Sequence, residues 1–233
     1  MSDMIKKDIF NNNELNKVSQ NKFYDIIPGS ISKIDACKFW NGVFENIEKI
    51  PEYTISEVEL FDKTRDCSED SYDFEFHPNE RMLAILKSFN EEDWYGLDIA
   101  KQKALVEELA DQIGKELELE NVPEIVFYEG PADECGFYRE QYNDIGINVN
   151  TFSDPKELAD TVAHEMRHAY QRMRADKLET VQDEMYKYSF ENYIAPEFDE
   201  DGCCMNFFDY QDQLVEAEAR AFARTFTDYM EVA

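Results

Sequence analysis

The chain has 233 residues, and 43% of them are hydrophobic, with 17 Phe and 13 Tyr among them. That content is sufficient for the core of one domain of ordinary size, so the composition argues against disorder throughout the chain. The formal net charge of −29 is spread along the sequence and repels phosphate backbones and anionic lipids, so we expect neither a nucleic-acid nor a membrane partner.

The first 90 residues give only weak signals for structure. Residues 1–29 are polar and rich in asparagine, which predicts a loosely ordered leader. Apolar residues recur with a helical period over 32–50, and residues 52–77 alternate in the manner of a strand. A short helix is predicted over 79–89. We treat residues 1–90 as an N-terminal segment of unknown role.

Residues 91–233 carry firmer patterns and are predicted to form the functional domain. An apolar stripe predicts a long helix over 97–119, and a strand is predicted over 124–128. The stretches 136–139 and 145–149 have the pattern of two strands joined in a hairpin. This part of the chain therefore begins with one helix and a small sheet.

Three more helices follow the hairpin. The first begins after Ser153 or Asp154, either of which can cap it, with Pro155 at its first position. A second helix is predicted over 177–193, and after a loop the last helix covers 208–230. This order predicts an α+β fold, in which a small antiparallel sheet with a hairpin edge strand packs on the first and last of these helices.

The first of these helices contains the sequence His164-Glu165-Met166-Arg167-His168. Residues four apart lie on one face of a helix, so both imidazoles can reach one metal ion. Neutral imidazole binds Zn²⁺ tightly, and the carboxylate of Glu165 can take a proton from a water that the metal acidifies. Because the chain has only three histidines, we interpret the pattern as a zinc site and not as an ordinary charged helix.

A catalytic zinc ion needs a third protein ligand. No histidine follows the motif, and His77, the remaining one, lies far upstream, where a structural or surface role is favoured. A carboxylate from the last helix is therefore expected. Glu216 shares a helical face with Ala219 and Ala223, whose small side chains permit close approach to the motif helix. Glu218, on another face, is the alternative ligand.

The last helix also carries a family resemblance. The pairing of H-E-x-x-H with Glu216-x-x-Ala219-x-x-Phe222-Ala223 resembles the gluzincin metallopeptidases. Within that group the chain is most similar to the ImmA/IrrE-type and related zinc peptidases, which are common in bacterial phage and mobile-element genes. The resemblance covers residues 94–233.

This resemblance implies a zincin-like fold in which His164, His168 and Glu216 bind zinc and Glu165 acts as general base. The chain departs from the family at Arg220, where Asn or Asp is common, so the usual partner of the ligands is absent. The interval between the second histidine and Glu216 is also long, which implies an inserted helix and loop.

Two further roles in such a site have candidates in the sequence. Asp160 or Asp209 can orient a ligand histidine in place of the missing family residue. The oxyanion formed when water attacks a carbonyl needs a donor besides the metal, and Tyr193 and Tyr210 are the candidates.

The hairpin strand ahead of the motif supplies candidates for substrate binding. Gly136, Phe137 and Tyr138 resemble the substrate-binding edge strand of the family. An extended peptide can add to such an edge through main-chain hydrogen bonds, and a glycine leaves room for a second backbone. The alternative explanation for Gly136 is a turn that follows Pro131.

Three hypotheses for the function follow. The first is a zinc-dependent endopeptidase that acts on a protein or peptide substrate. The second is a non-catalytic, zinc-stabilised module that binds a peptide by strand addition, although such a module has no use for Glu165. The third is a toxin-like effector whose peptidase domain acts in another cell.

The sequence also bears on the compartment. It has no apolar run close to the roughly 20 residues of a membrane span, and residues 1–13 lack the apolar core of a secretory signal. The five cysteines are scattered and form no C-x-x-C pair, which fits reduced thiols. We predict a cytoplasmic protein, with signal-independent export as the alternative.

Overall fold

The computed structural model describes residues 55–74, 77–131, 134–200 and 203–232. The predicted leader and the helix predicted over 32–50 lie outside these described residues. Within them, helices and a small sheet form an α+β fold, which confirms the predicted class. No helix in this part of the chain is both long enough and apolar enough to cross a membrane.

Eight α-helices and three β-strands make up the regular structure of the described residues. The helices are α1 (Glu57–Thr64), α2 (Glu80–Lys87), α3 (Glu91–Trp94), α4 (Ile99–Glu116), α5 (Pro155–Lys177), α6 (Val181–Glu191), α7 (Phe207–Gln211) and α8 (Leu214–Val232). The strands are β1 (Glu124–Tyr128), β2 (Gly136–Arg139) and β3 (Asp144–Asn148), and short 3-10 helices cover Glu69–Ser71 and Val149–Ser153. The elements α2, α4, β1, β2 and β3 lie where the sequence predicted them.

The strand predicted over 52–77 is wrong where the structure describes that stretch. The hydroxyl of Ser56 accepts a hydrogen bond from the main-chain nitrogen of Glu59, and the Glu59 carboxylate accepts one from the nitrogen of Ser56. This capping box starts helix α1. Phe74, one of the alternating residues that suggested a strand, lies in a later connection, edge-on to Phe222 of α8 with ring centroids 5.5 Å apart.

The single helix predicted over 208–230 is divided into α7 and α8. Gln213 lies at the break and is buried. Its amide nitrogen donates to the main-chain oxygens of Tyr210 and Ile194, and its amide oxygen accepts from the nitrogen of Ile194. A contact with the preceding loop therefore stabilises the break, and such a contact leaves no trace in the helical periodicity.

The three strands form a mixed sheet in the order β1-β3-β2. Strand β3 pairs in parallel with β1 and antiparallel with β2, with Ile145 opposite both Ile125 and Tyr138. The predicted hairpin is confirmed, but the predicted antiparallel sheet is wrong because β1 runs parallel to β3. Ile145 and Ile147 are fully buried, and a strand covered along its whole length takes the central position.

Helix α5 lies at the centre of the fold, where α4, α8 and the sheet all pack against it. Leu158, Val162 and Met166 of this helix are fully buried in the main core. Ala219 and Ala223 of α8 are fully buried as well. These small side chains allow the backbones of α5 and α8 to approach closely, as the sequence predicted.

Part of the N-terminal segment contributes to the same core. Met82, Leu86 and Phe89 are fully buried and belong to the cluster that contains Leu158 of α5. The described part of the N-terminal segment therefore packs with the helix that carries the motif. The domain boundary predicted between residues 90 and 91 stays a prediction.

Candidate metal centre

Helix α5 begins at one of the two predicted caps. The carboxylate of Asp154, and not the hydroxyl of Ser153, accepts hydrogen bonds from the first two free main-chain nitrogens of the helix, with Pro155 in its first turn. The helix then continues to Lys177. The two motif histidines consequently lie one turn apart on a single face.

His164, His168 and Glu216 bring three potential ligand atoms together. The two Nε2 atoms are 3.0 Å apart, Glu216 Oε2 lies 3.4 Å from His164 Nε2, and Glu216 Oε1 lies 3.5 Å from His168 Nε2. A tetrahedral zinc ion with bonds of about 2.0–2.1 Å separates its ligand atoms by about 3.3–3.4 Å. The observed distances are close to that spacing. His77 is exposed and stands outside this group.

The two oxygens of Glu216 differ in their surroundings, although the side chain is only 2% exposed. Oε1 accepts a hydrogen bond of 2.7 Å from the hydroxyl of Tyr193. Oε2 is buried and has no hydrogen-bond partner among the described residues. Burial would raise the pKa of Glu216, but the adjacent His168 and His164 lower it to about 2. A buried carboxylate that stays ionised with one free oxygen fits the ligand of a cation.

Gln171, a residue that the sequence analysis did not single out, contacts His168 at Nδ1, the ring nitrogen that does not face His164 and Glu216. Gln171 Oε1 lies 2.9 Å from His168 Nδ1, and Gln171 Nε2 donates to the carbonyl of Val215 at 3.1 Å. The signal that points to it in the sequence is an uncharged polar residue three positions after a ligand, on the same helix face. Gln171 therefore joins the second histidine to the residue that precedes Glu216.

The two carboxylates predicted to orient a histidine take other positions. Burial raises the pKa of Asp160 to about 6, and the nearby His164 opposes that rise. Asp209 is exposed on α7. Across the described residues, no hydrogen bond joins either carboxylate to His164 or His168.

Arg220 occupies the position where the family commonly has Asn or Asp. Its Nε donates to Glu69 Oε2 at 3.1 Å, and its Nη2 donates to the main-chain oxygen of Gln211. Arg220 thus joins α8 to the Glu69–Ser71 helix, and within the described residues its hydrogen bonds go to Glu69 and Gln211 instead of to either histidine.

Glu218, the alternative third ligand, occupies a separate buried site. Its Oε1 accepts hydrogen bonds of 2.7 Å from Arg167 Nε and 2.7 Å from the hydroxyl of Tyr186, and Arg167 Nη2 contacts the same oxygen. Three aromatic rings face the guanidinium, those of Phe74, Tyr170 and Phe222. The structure therefore brings Glu216 to the histidines and pairs Glu218 with Arg167.

Glu165 follows His164 in the helix and is 9% exposed. The pKa of His164 is raised: burial lowers it, whereas Glu216 and then Glu165 raise it by more. The pKa of Tyr210 is raised by burial, by Glu216 and also by Glu165. The Glu165 carboxylate thus lies within electrostatic range of both the ligand group and Tyr210.

Tyr193 and Tyr210, the two candidate oxyanion donors, both lie beside Glu216. Their rings are perpendicular, with centroids 6.3 Å apart. Burial raises the pKa of each hydroxyl, and the charge of Glu216 raises it further. Both hydroxyls consequently stay protonated near neutral pH and can donate hydrogen bonds.

Strand β2 lies at one edge of the sheet. The nitrogen of Asn148 donates to the carbonyl of Cys135 at 3.0 Å, and in an antiparallel pair every second residue makes such bonds to its partner. The main-chain groups of Gly136 and Tyr138 therefore point away from β3, toward the edge of the sheet.

The three predicted substrate-binding residues of β2 face different surroundings. A Cβ atom at Gly136 would lie 2.7 Å from Thr161 Cγ2 and 2.9 Å from the Gly146 oxygen, so close packing on α5 and β3 explains this glycine better than a turn. The ring of Phe137 occupies the space that a Cβ atom at Gly146 would take. Tyr138 packs against the main core.

Comparison with known proteins supplies no relative: no protein-family model, curated protein or solved structure matches the chain. The family resemblance seen in the sequence therefore stays a prediction. The function is therefore inferred from the geometry of the three candidate metal ligands, Glu165 and the edge strand.

Proposed function

We propose that the protein is a zinc-dependent endopeptidase with a zincin-like site of the gluzincin type. The observation that carries the proposal is the approach of His164, His168 and Glu216 to within 3.0–3.5 Å through their ligand atoms, next to Glu165. A buried carboxylate oxygen with no hydrogen-bond partner in the described structure is costly. A cation at this position would offset that cost.

The donor set fits zinc better than magnesium or calcium. Two imidazole nitrogens and one carboxylate oxygen form a known ligand set of catalytic zinc, with a fourth position open to water. Magnesium and calcium prefer oxygen ligands alone. Zinc, when bound, supplies a Lewis acid that acidifies water and polarises a carbonyl oxygen.

Glu165 carries the proton in the proposed reaction. Its carboxylate takes a proton from water as the water oxygen attacks the peptide carbonyl, and it passes that proton to the amine as the C–N bond breaks. Tyr193 and Tyr210 are both proposed donors to the developing oxyanion, because both hydroxyls lie beside Glu216 and stay protonated.

Metal removal tests the proposal directly. The purified protein is expected to contain one zinc ion per chain and to cleave a mixed pool of unfolded proteins. A chelator should remove both the zinc and the cleavage, and added zinc should restore both while magnesium should not. Cleavage that persists without metal would contradict the proposal. Zinc binding without cleavage of any substrate would favour the peptide-binding module instead.

Substrate is proposed to pair with the edge of β2 through the main-chain groups of Gly136 and Tyr138. A substitution at Gly136 would disturb the fold, because its Cβ atom would collide with α5 and β3. The pairing is therefore tested by changing the peptide and leaving the protein unchanged. In a series of peptides that each carry one N-methylated amide, we expect slower cleavage when the methyl group is on every second amide. The loss of one hydrogen bond predicts an effect of about tenfold.

The measurement is the cleavage rate of each methylated peptide relative to the parent. Methylation at the intervening amides serves as the control for bulk, since those amides point away from β2 in the proposed pairing. Equal rates across the series would show that the substrate does not pair with this strand.

A further inference from the structure

Gln171 is a neutral side chain buried between the two helices that carry the candidate ligands. It is fully buried, and the two ends of its amide group contact different helices. Its Nε2 donates to the carbonyl of Val215 in α8 at 3.1 Å. Its Oε1 lies 2.9 Å from His168 Nδ1 in α5.

The contact with Val215 determines the orientation of this amide. A main-chain carbonyl only accepts hydrogen bonds, so the atom that faces Val215 must be the amide nitrogen. The amide oxygen therefore faces His168, and it too only accepts. The proton of the neutral His168 imidazole consequently lies on Nδ1, which leaves the lone pair on Nε2, the atom nearest to His164 and Glu216.

We propose that Gln171 is a positioning residue that holds His168 as its Nδ1–H tautomer and sets the placement of His168 relative to Glu216. Since Gln171 is anchored on the residue next to Glu216, one side chain positions ligands on both helices. The inference rests on the proposed function only in taking His168 as a metal ligand. The tautomer itself is a property of the protein without metal.

The tautomer is measured by long-range ¹H–¹⁵N NMR of the histidine-labelled protein, prepared without metal, at a pH at which the ¹⁵N chemical shifts themselves show a neutral ring. We expect the proton of His168 on Nδ1, with the exposed His77 as the internal reference. A proton on Nε2 of His168 would overturn the inference. This result does not depend on whether the protein cleaves peptides, so it separates the inference from the proposed function.

Two variants test the effect on metal binding. Gln171→Met removes both hydrogen bonds at similar size, and we expect zinc affinity to fall by about 10- to 100-fold and the His168 tautomers to mix. Gln171→Glu keeps an acceptor for the Nδ1 proton but loses the donor to Val215. It is expected to retain the tautomer and to bind zinc more tightly than the methionine variant.

The matched control is Gln102→Met in α4. Gln102 Nε2 donates to the carbonyl of Trp94 at 3.1 Å, so this variant loses a similar hydrogen bond in a part of the fold without candidate ligands. Its zinc affinity, measured by competition with a chromophoric chelator, is expected to equal that of the wild type. Equal affinity in Gln171→Met, or an equal loss in the control, would overturn the role in metal binding. If Gln171→Met does not fold, the wild-type spectrum still decides the tautomer.

Discussion

Glu165→Gln is expected to lower the rate of peptide cleavage by about a hundred-fold or more while the protein keeps its zinc. Glutamine has the shape and the hydrogen-bonding capacity of glutamate but cannot accept the proton of the attacking water. The fold should be unaffected, because the buried ion pair in this helix joins Arg167 to Glu218 and does not include Glu165. The measurements are the cleavage rate, the zinc content and the unfolding midpoint of the two proteins.

The control for this prediction is Asp176→Asn. Asp176 is an exposed carboxylate near the C-terminal end of the same helix, so its change removes one negative charge away from the ligand group. Cleavage by this control should match the wild type. A Glu165→Gln protein that cleaves as fast as the control would exclude Glu165 as the general base.

The part of the site on α5 follows from local features of the sequence. Asp154 and Pro155 are neighbours that start the helix, and a spacing of four residues then places His164 and His168 on one face. Each of these relations lies within a few turns of one helix. Sequence periodicity is therefore sufficient to predict them.

The surroundings of that pair depend on contacts between distant parts of the chain. Gln171 meets the carbonyl of Val215 across 44 positions, and Tyr193 meets Glu216 across 23. Neither a glutamine nor a tyrosine in the sequence indicates which distant residue its side chain will contact. The central position of β3 is another such case, because strand order depends on which strand the helices cover.

The choice between Glu216 and Glu218 also depends on contacts between distant parts of the chain. The small side chains of Ala219 and Ala223 favour Glu216 in the sequence, because they lie on its face of α8, but in the structure both glutamates contact α5. Burial does not separate the two glutamates, since both are 2% exposed. What separates them is the partner that each one meets on α5.

Glu216→Gln and Glu218→Gln are therefore a matched pair, since each removes one buried negative charge from α8. Glu216→Gln is expected to lose the zinc ion, because the third ligand becomes a neutral amide. His164→Ala and His168→Ala should lose it as well. Glu218→Gln should keep one zinc ion per chain but lose about 3–5 kcal/mol of stability, because Arg167 is left buried without its counter-charge.

Zinc per chain and urea unfolding of the chelated proteins measure these two effects separately. Zinc that remains in Glu216→Gln but is lost from Glu218→Gln would assign the third ligand to Glu218 and contradict the distances observed here. Equal destabilisation by both variants would contradict the pairing of Glu218 with Arg167. We expect Glu216→Gln to lose zinc and Glu218→Gln to lose stability, because α8 places Glu216 beside two histidines and Glu218 beside an arginine.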